Sequence, residues 1–282
     1  MGIIVPRGLD CNVQDAIVRE SRPRYPTFSR ERRADRLRKV DVNAIHPTAQ
    51  LTGDVRLGSG NTIGAFAVIT GPVEIGDDNW FGSGVVIGAP PEVRGFAHPT
   101  DLAGSVDAAG VRIGDRNVVR EHAQIHQGSQ RQTHISDDAF IMNQAYVAHD
   151  CRLDDGVTLA SSVLLAGHVY IGSKANLGLG TTVHQFRSIG RGAMVGMSSV
   201  VTRDVPPFAK VFGNPATVQG ANLIGMERSG VAAELVDVLR AIYEGGDVSP
   251  EVVADPELRA AVVQWASERP ERPERPERGG RA

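Results

Sequence analysis

"IMNQAYVAHDCRLDDGVTLASSVLLAG", residues 141–167, sets a bulky apolar residue at every sixth position: Ile141, Val147, Leu153, Leu159 and Leu165. The series extends both ways. Backward it reaches Ile135; forward it passes through Ile171, Leu177, Val183, Ile189 and Val195 to Val201. An earlier series runs without a miss from Ile45 through Leu51, Leu57, Ile63, Ile69, Ile75 and Phe81 to Ile87, and a short one links Ile113, Val119 and Ile125. Period six fits neither a 3.6-residue helix nor a heptad. It is the signature of a β-helix built from hexapeptides, each contributing one inward apolar side chain. Four places after that residue the side chain is small, as at Ala67, Val157, Val163, Val169, Ala175 and Thr181. A narrow prism has room for one large and one small inward residue per side. Three hexads close a triangular coil, and coils stack like parallel strands about 4.8 Å apart. Glycine often follows the apolar residue, as in IGDDNW (75–80) and IGSKAN (171–176), where a tight corner is expected to need permissive dihedrals.

The phase breaks twice. Residues 89–112 leave the prism as a long loop, and a shorter excursion covers about 127–134. Long loops on a rigid scaffold commonly carry function. Before the first hexad, residues 1–40 form an arginine-rich N-terminal extension, read as a solvated arm or as a contact for an acidic partner. Residues 41–214 are the β-helix. In 215–268 the period turns helical at Val231, Leu235, Val238, Leu239 and Ile242, and Ser249-Pro250 caps a second helix through Trp265. These helices are expected to cap the open end of the solenoid. Residues 269–282, ending in repeated ERP, read as a disordered charged tail.

A net charge of −3 gives no electrostatic case for nucleic acid or a membrane surface. Two cysteines, Cys11 and Cys151, make no disulfide framework and fit a reducing compartment. The opening MGIIVPRGLDCNVQD does not read as a secretory signal, and no stretch approaches the roughly 20 apolar residues of a membrane span, so a cytoplasmic protein without stable membrane insertion is expected.

The chemistry concentrates in histidines. Val147, Leu165 and Val183 stand 18 residues apart, on one face of successive coils. His149, His168 and His184 belong to those hexads and are expected to stack there, with His126 one coil earlier. For any one of them a solvated surface residue is the default reading; a column with Asp150 beside its first member favours chemistry. A histidine paired with a carboxylate serves as a general base near neutral pH. It would take a proton from a hydroxyl attacking an activated carbonyl, and an oxyanion donor must complete the site. Cys151 falls in a small inward slot and reads as packing. Lys174, Arg152 and Arg191 read as solvated faces.

The ordered motifs GDRNVVREHAQIHQG (114–128), VAHDC (147–151), LAGHV (165–169), VHQF (183–186) and DVPPFAKVFGNPA (204–216) resemble the bacterial acyl-carrier-protein–UDP-N-acetylglucosamine O-acyltransferases, over about residues 42–245. The resemblance implies a left-handed parallel β-helix, a homotrimer with sites between subunits, acyl carrier protein and a nucleotide sugar as partners, and a phosphopantetheine-linked acyl donor with no separate cofactor or metal. It implies His149 as general base, Asp150 as its orienting partner and the Gly167 N–H as oxyanion donor. His168, His184 and Gln185 would line the cleft. Asn222 and Arg228 match the segment that contacts the nucleotide and the pantetheine arm. Tyr146 stands where the family has a histidine, and Arg94 is the nearest basic residue in an altered nucleotide-sugar loop. Met194 and Met197 fall in the acyl groove, where Met197 would shorten it toward a medium-length chain. Competing readings are a coenzyme A-dependent acyltransferase on another sugar or amine, a trimeric zinc enzyme of the γ-carbonic-anhydrase kind, and a catalytically silent scaffold.

Overall fold

The computed structural model describes residues 42–99, 107–228, 243 and 256–271. The N-terminal arm, the helical reading of 231–242, the Ser249-Pro250 cap and the end of the tail lie outside them. Short strands wind into three sheets of ten, eight and seven strands among the described residues. Successive strands of one sheet are parallel and 18 residues apart, as in Val147 opposite Leu165 and Leu165 opposite Val183. The sixth-position series is the prism's interior: Ile63, Ile69, Phe81, Ile87, Ile125, Leu153, Leu165 and Ile171 are all 1% exposed or less. The small set four residues on, Ala67, Val157, Val163, Val169 and Ala175, is equally buried. Each such large side chain contributes about 1.5–3 kcal/mol by leaving water. Because a coil touches only its neighbours, stability accumulates along one axis.

The corners correct one expectation. Apart from Gly88 (φ +81°), at the start of the long excursion, the glycine after an inward residue does not take the left-handed conformation. That falls three places after the inward residue, as at Asp150 (φ +61°), His168 (+61°), Phe186 (+57°) and Lys174 (+59°). The glycine is required for close approach instead: a Cβ on Gly172 would sit 2.6 Å from the Arg191 nitrogen of the next coil. Buried asparagines tie coils together elsewhere. Asn79 donates to Asn61 Oδ1 at 3.0 Å, and Asn117 N–H to Asn79 Oδ1 at 2.8 Å.

The stretch 215–268, expected to be helical, opens with a strand. Ala209–Gly213 and Ala216–Ala221 form an antiparallel hairpin that closes the ten-stranded sheet. Helix α1 (Leu223–Arg228) follows, and the last described helix is α2 (Pro256–Ser267). The α2 residues Leu258, Ala261, Val262 and Trp265 bury with Phe208, Ala221 and Met226 in a second small core. Trp265 Nε1–H reaches Ser188 O at 3.4 Å, and Glu268 pairs with Arg152 at 2.8 Å. Arg152 also pairs with Asp154 at 3.2 Å, so it is not the solvated face expected. The beginning of the tail is docked as well, with Arg269 4.1 Å over the Trp265 ring.

Candidate active site

Every connection from the eight-stranded sheet to the seven-stranded one lies along a single edge of the prism. Both excursions belong to this edge: one joins Ala89 to Val111, the other His126 to Thr133. Below them the edge continues as tight corners at 148–151, 166–169 and 184–187. The insertions lengthen the edge at the cost of one local register shift, where Ile125 pairs with Ile87 but His126 with Ala89, and the six-residue phase resumes after each.

Asp150 is fully buried at this edge. The 127–132 excursion folds over it. Ser129 Oγ–H and N–H donate to Oδ2 at 2.6 and 3.2 Å, and the N–H groups of Gln130 and Arg131 donate to Oδ1 at 2.8 Å each. Burial alone would push this carboxyl up. The hydrogen bonds from His149, Ser129 and the two backbone amides outweigh it and hold Asp150 well below the usual carboxylate range.

His149 Nδ1 stands 2.7 Å from Asp150 Oδ2. A buried carboxylate there keeps the ring proton on Nδ1 and leaves the Nε2 lone pair open. The ring lies against Gly167, the residue one coil on: a Cβ at Gly167 would fall 2.4 Å from Cε1 and 2.5 Å from Nε2. His168 meets His149 edge to face at 5.0 Å, with Nε2 3.6 Å from Asp150 Oδ2. Phe186 stacks on His168 at 4.4 Å and 9°. Burial holds His168 below its ordinary value; the Asp150 carboxylate partly opposes this, and His149 and Arg131 add to it. His168 is thus mainly neutral near pH 7.

His184 does not join the expected column. Residues aligned through the stack differ by 18, so His149 continues into Gly167 and Gln185, and Asp150 into His168 and Phe186. His184 is exposed one position earlier, with Nδ1 3.1 Å from the Gln185 carbonyl, and Gln185 is exposed too. His126, at the top of the same edge, contacts a residue that sequence reasoning missed. Its Nδ1 is 2.8 Å from Glu92 Oε1, and Tyr146 donates its hydroxyl to the same oxygen. Burial alone would lower His126, but Glu92 and the Pro90 carbonyl hold it above its ordinary value. Tyr146 and His126 rings lie 5.3 Å apart. Arg94 is exposed in the same loop. The excursions lack the period that located the other residues, so only their length pointed to Glu92 and Ser129.

The remaining expectations divide. Asn222 caps α1, accepting from Gly225 N–H at 3.2 Å and donating to Gly192 O at 2.9 Å, so its side chain is engaged within the chain. Arg228 ends that helix. Met197 is 70% exposed and Met194 half-buried, but their corner leads from the ten-stranded to the eight-stranded sheet. That is a different edge from the one bearing His149. Cys151 is fully buried and donates to Ala166 O at 3.3 Å; burial pushes its thiol up to about 12, which fits packing.

A cavity of about 600 Å³ opens beside the site, lined by Gln130, Arg131, His168 and Phe186 on one side and by residues 267–271 on the other. His149, Asp150 and His168 are the one cluster of metal-ligating side chains found among the described residues. Both Asp150 oxygens are already taken by hydrogen bonds, and two imidazoles come together rather than three. That donor set fits a zinc site poorly.

Residues 204–245 match the family model described as Udp N-acetylglucosamine O-acyltransferase, domain 2. Two curated relatives bear the name acyl-[acyl-carrier-protein]–UDP-N-acetylglucosamine O-acyltransferase. That of Gloeothece citriformis is 45% identical over 151 residues, 51% of this chain and 55% of its own. That of Burkholderia orbicola is 38% identical over 148 residues, 51% and 56%. The chain thus spans about half the length of the curated relatives it matches. Among solved structures, the UDP-N-acetylglucosamine O-acyltransferase of Moraxella catarrhalis superposes with TM-score 0.66 at 27% identity, over 79% of this chain and 96% of that one. The Campylobacter jejuni UDP-N-acetylglucosamine acyltransferase gives 0.58 at 29%, over 79% and 93%. No helix among the described residues is long and apolar enough to cross a membrane. The fold is a left-handed parallel β-helix of about nine turns, and the chain resembles the UDP-N-acetylglucosamine O-acyltransferases in sequence and in architecture.

Proposed function

We propose that this chain transfers an acyl group from an acyl-carrier-protein thioester to a hydroxyl of UDP-N-acetylglucosamine or a related nucleotide sugar. One observation carries the reading: His149 Nδ1 is held at 2.7 Å by a buried, multiply hydrogen-bonded carboxylate. His149 Nε2 takes the sugar hydroxyl proton as that oxygen attacks the thioester carbonyl. Negative charge develops on the carbonyl oxygen, for which the Gly167 N–H is the donor in this reading. Collapse breaks the carbon–sulfur bond, and the proton passes from His149 to the departing thiol of the pantetheine arm. No resident cofactor or metal takes part. His168, neutral and stacked on Phe186, offers a hydrogen bond to the substrate, with Tyr146, His184, Gln185 and Arg94 further along the cleft.

The acyl chain requires a second copy in this reading. Met194 and Met197 belong to another edge, so a groove reaching both His149 and Met197 forms where two copies meet. A cytoplasmic homotrimer supplies that geometry. The test is thiol release from acyl carrier protein and coenzyme A thioesters against a panel of UDP-sugars. His149→Ala is expected to lose about 100-fold or more with its melting temperature kept. Parental turnover in that variant would refute the base assignment. Turnover only with coenzyme A would move the donor to the competing reading.

A further inference from the structure

The excursion that clasps Asp150 also aims a cation into the cavity. Arg131 is tied to the aspartate twice: its N–H donates to Oδ1 at 2.8 Å and its Nε–H to the Asp150 carbonyl at 3.1 Å. The rest of its guanidinium is exposed on the cavity wall beside His168. Among the described residues no side-chain carboxylate is paired with it. The other charges on the lining differ. Glu268 is neutralised by Arg152 at 2.8 Å. Arg269 lies over Trp265 and stands 3.8 Å from Asp204. Glu271 also lines the cavity, at the end of the Ser267–Glu271 segment. Of the charges on the cavity lining, the one that acts on His168 is therefore the positive Arg131, a planar group suited to phosphate oxygens.

We propose that this cavity is a phosphate subsite and that Arg131 is its binding residue, with the Ser267–Glu271 segment closing it from the other side. This rests on the acyl-transfer reading for the identity of the ligand, since both substrates of that reaction carry phosphate: the nucleotide as a diphosphate, the donor arm as a phosphodiester. A phosphate on the terminal nitrogens would be held by the same residue whose N–H bonds the carboxylate that orients His149. Anion binding and alignment of the base would then share one short loop.

The experiment uses the full chain and direct binding by calorimetry, with UDP and 4′-phosphopantetheine as separate probes. Arg131→Gln is expected to raise the dissociation constant of one probe by roughly tenfold or more, the loss of a charge-assisted hydrogen bond. Weakened UDP assigns the subsite to the nucleotide; weakened phosphopantetheine assigns it to the donor. Arg131→Lys separates this from a purely structural role. It keeps the charge and loses the Nε contact to Asp150, so it should recover part of the affinity if the charge binds phosphate. A lysine variant as weak as the glutamine variant would overturn the proposal, as would binding of both probes unchanged in Arg131→Gln or no binding of either by the parent. If the parent binds UDP through Arg131 but releases no thiol, the acyl-transfer reading fails and the phosphate subsite stands.

Discussion

Gly167→Ala should silence the site without harming the fold. The added Cβ would stand 2.4 Å from His149 Cε1 and 2.5 Å from Nε2. Carbon atoms rest about 3.5 Å apart, so the imidazole must retreat by about 1 Å. The coil itself has no reason to object, because Gly167 is not among the residues with positive φ. A ring displaced that far cannot keep its 2.7 Å hydrogen bond to Asp150 Oδ2 and still present Nε2 where it was. Misplacement of a reacting group by about 1 Å costs on the order of 100-fold in rate. The packing penalty is about 1–3 kcal/mol, which leaves the protein folded. Thiol release at saturating acyl thioester and UDP-N-acetylglucosamine reads the effect in kcat, while thermal melting reads the fold. In a His149→Ala background the same substitution should add nothing, since the ring it displaces is gone. A Gly167→Ala protein with parental kcat would refute the argument that the glycine exists to seat the base.

Two further outcomes follow from the geometry. Asp150 titrates below its ordinary value of 3.8, so its stabilising hydrogen bonds are fully present above that pH and are lost as acid protonates the folded carboxylate. The melting temperature of Asp150→Asn should therefore lie furthest below the parent near neutrality, and the gap should narrow as pH falls below about 4; a gap independent of pH would mean that the charge contributes nothing. Met197→Gly should shift the acyl-chain profile of the product toward longer chains, because the exposed Met197 side chain is the bulk expected to end the groove; an unchanged profile removes Met197 from it.

The prism was legible because its interior obeys a rule that a one-dimensional reading can see. A large residue every sixth place and a small one four places later are the same constraint met at every strand. The corners were harder. Glycine after the inward residue looked like a dihedral requirement and proved to be a clearance between coils, since both select for a missing side chain. The site was partly legible for a related reason. His149 with Asp150 could be recognised from adjacency, and His168 from sharing the edge. His184 was misplaced because membership in aligned hexads is not enough. Contact through the stack requires a separation close to 18, which Asp150 and His168 satisfy and His168 and His184, 16 apart, do not. The loop groups around the site, Glu92, Ser129, Gln130 and Arg131, obey no period. Their approach to His126 and Asp150 is a matter of tertiary folding that no local pattern encodes.

Both excursions leave the prism at the edge that bears the histidines, while the stack above and below keeps its register. Substrate preference can therefore be revised in the segment between Ala89 and Val111, whereas the one between His126 and Thr133 must keep the Ser129, Gln130 and Arg131 donors that hold Asp150. An engineer wishing to retarget such a protein would cut at Ala89 and Val111, and leave every other turn alone.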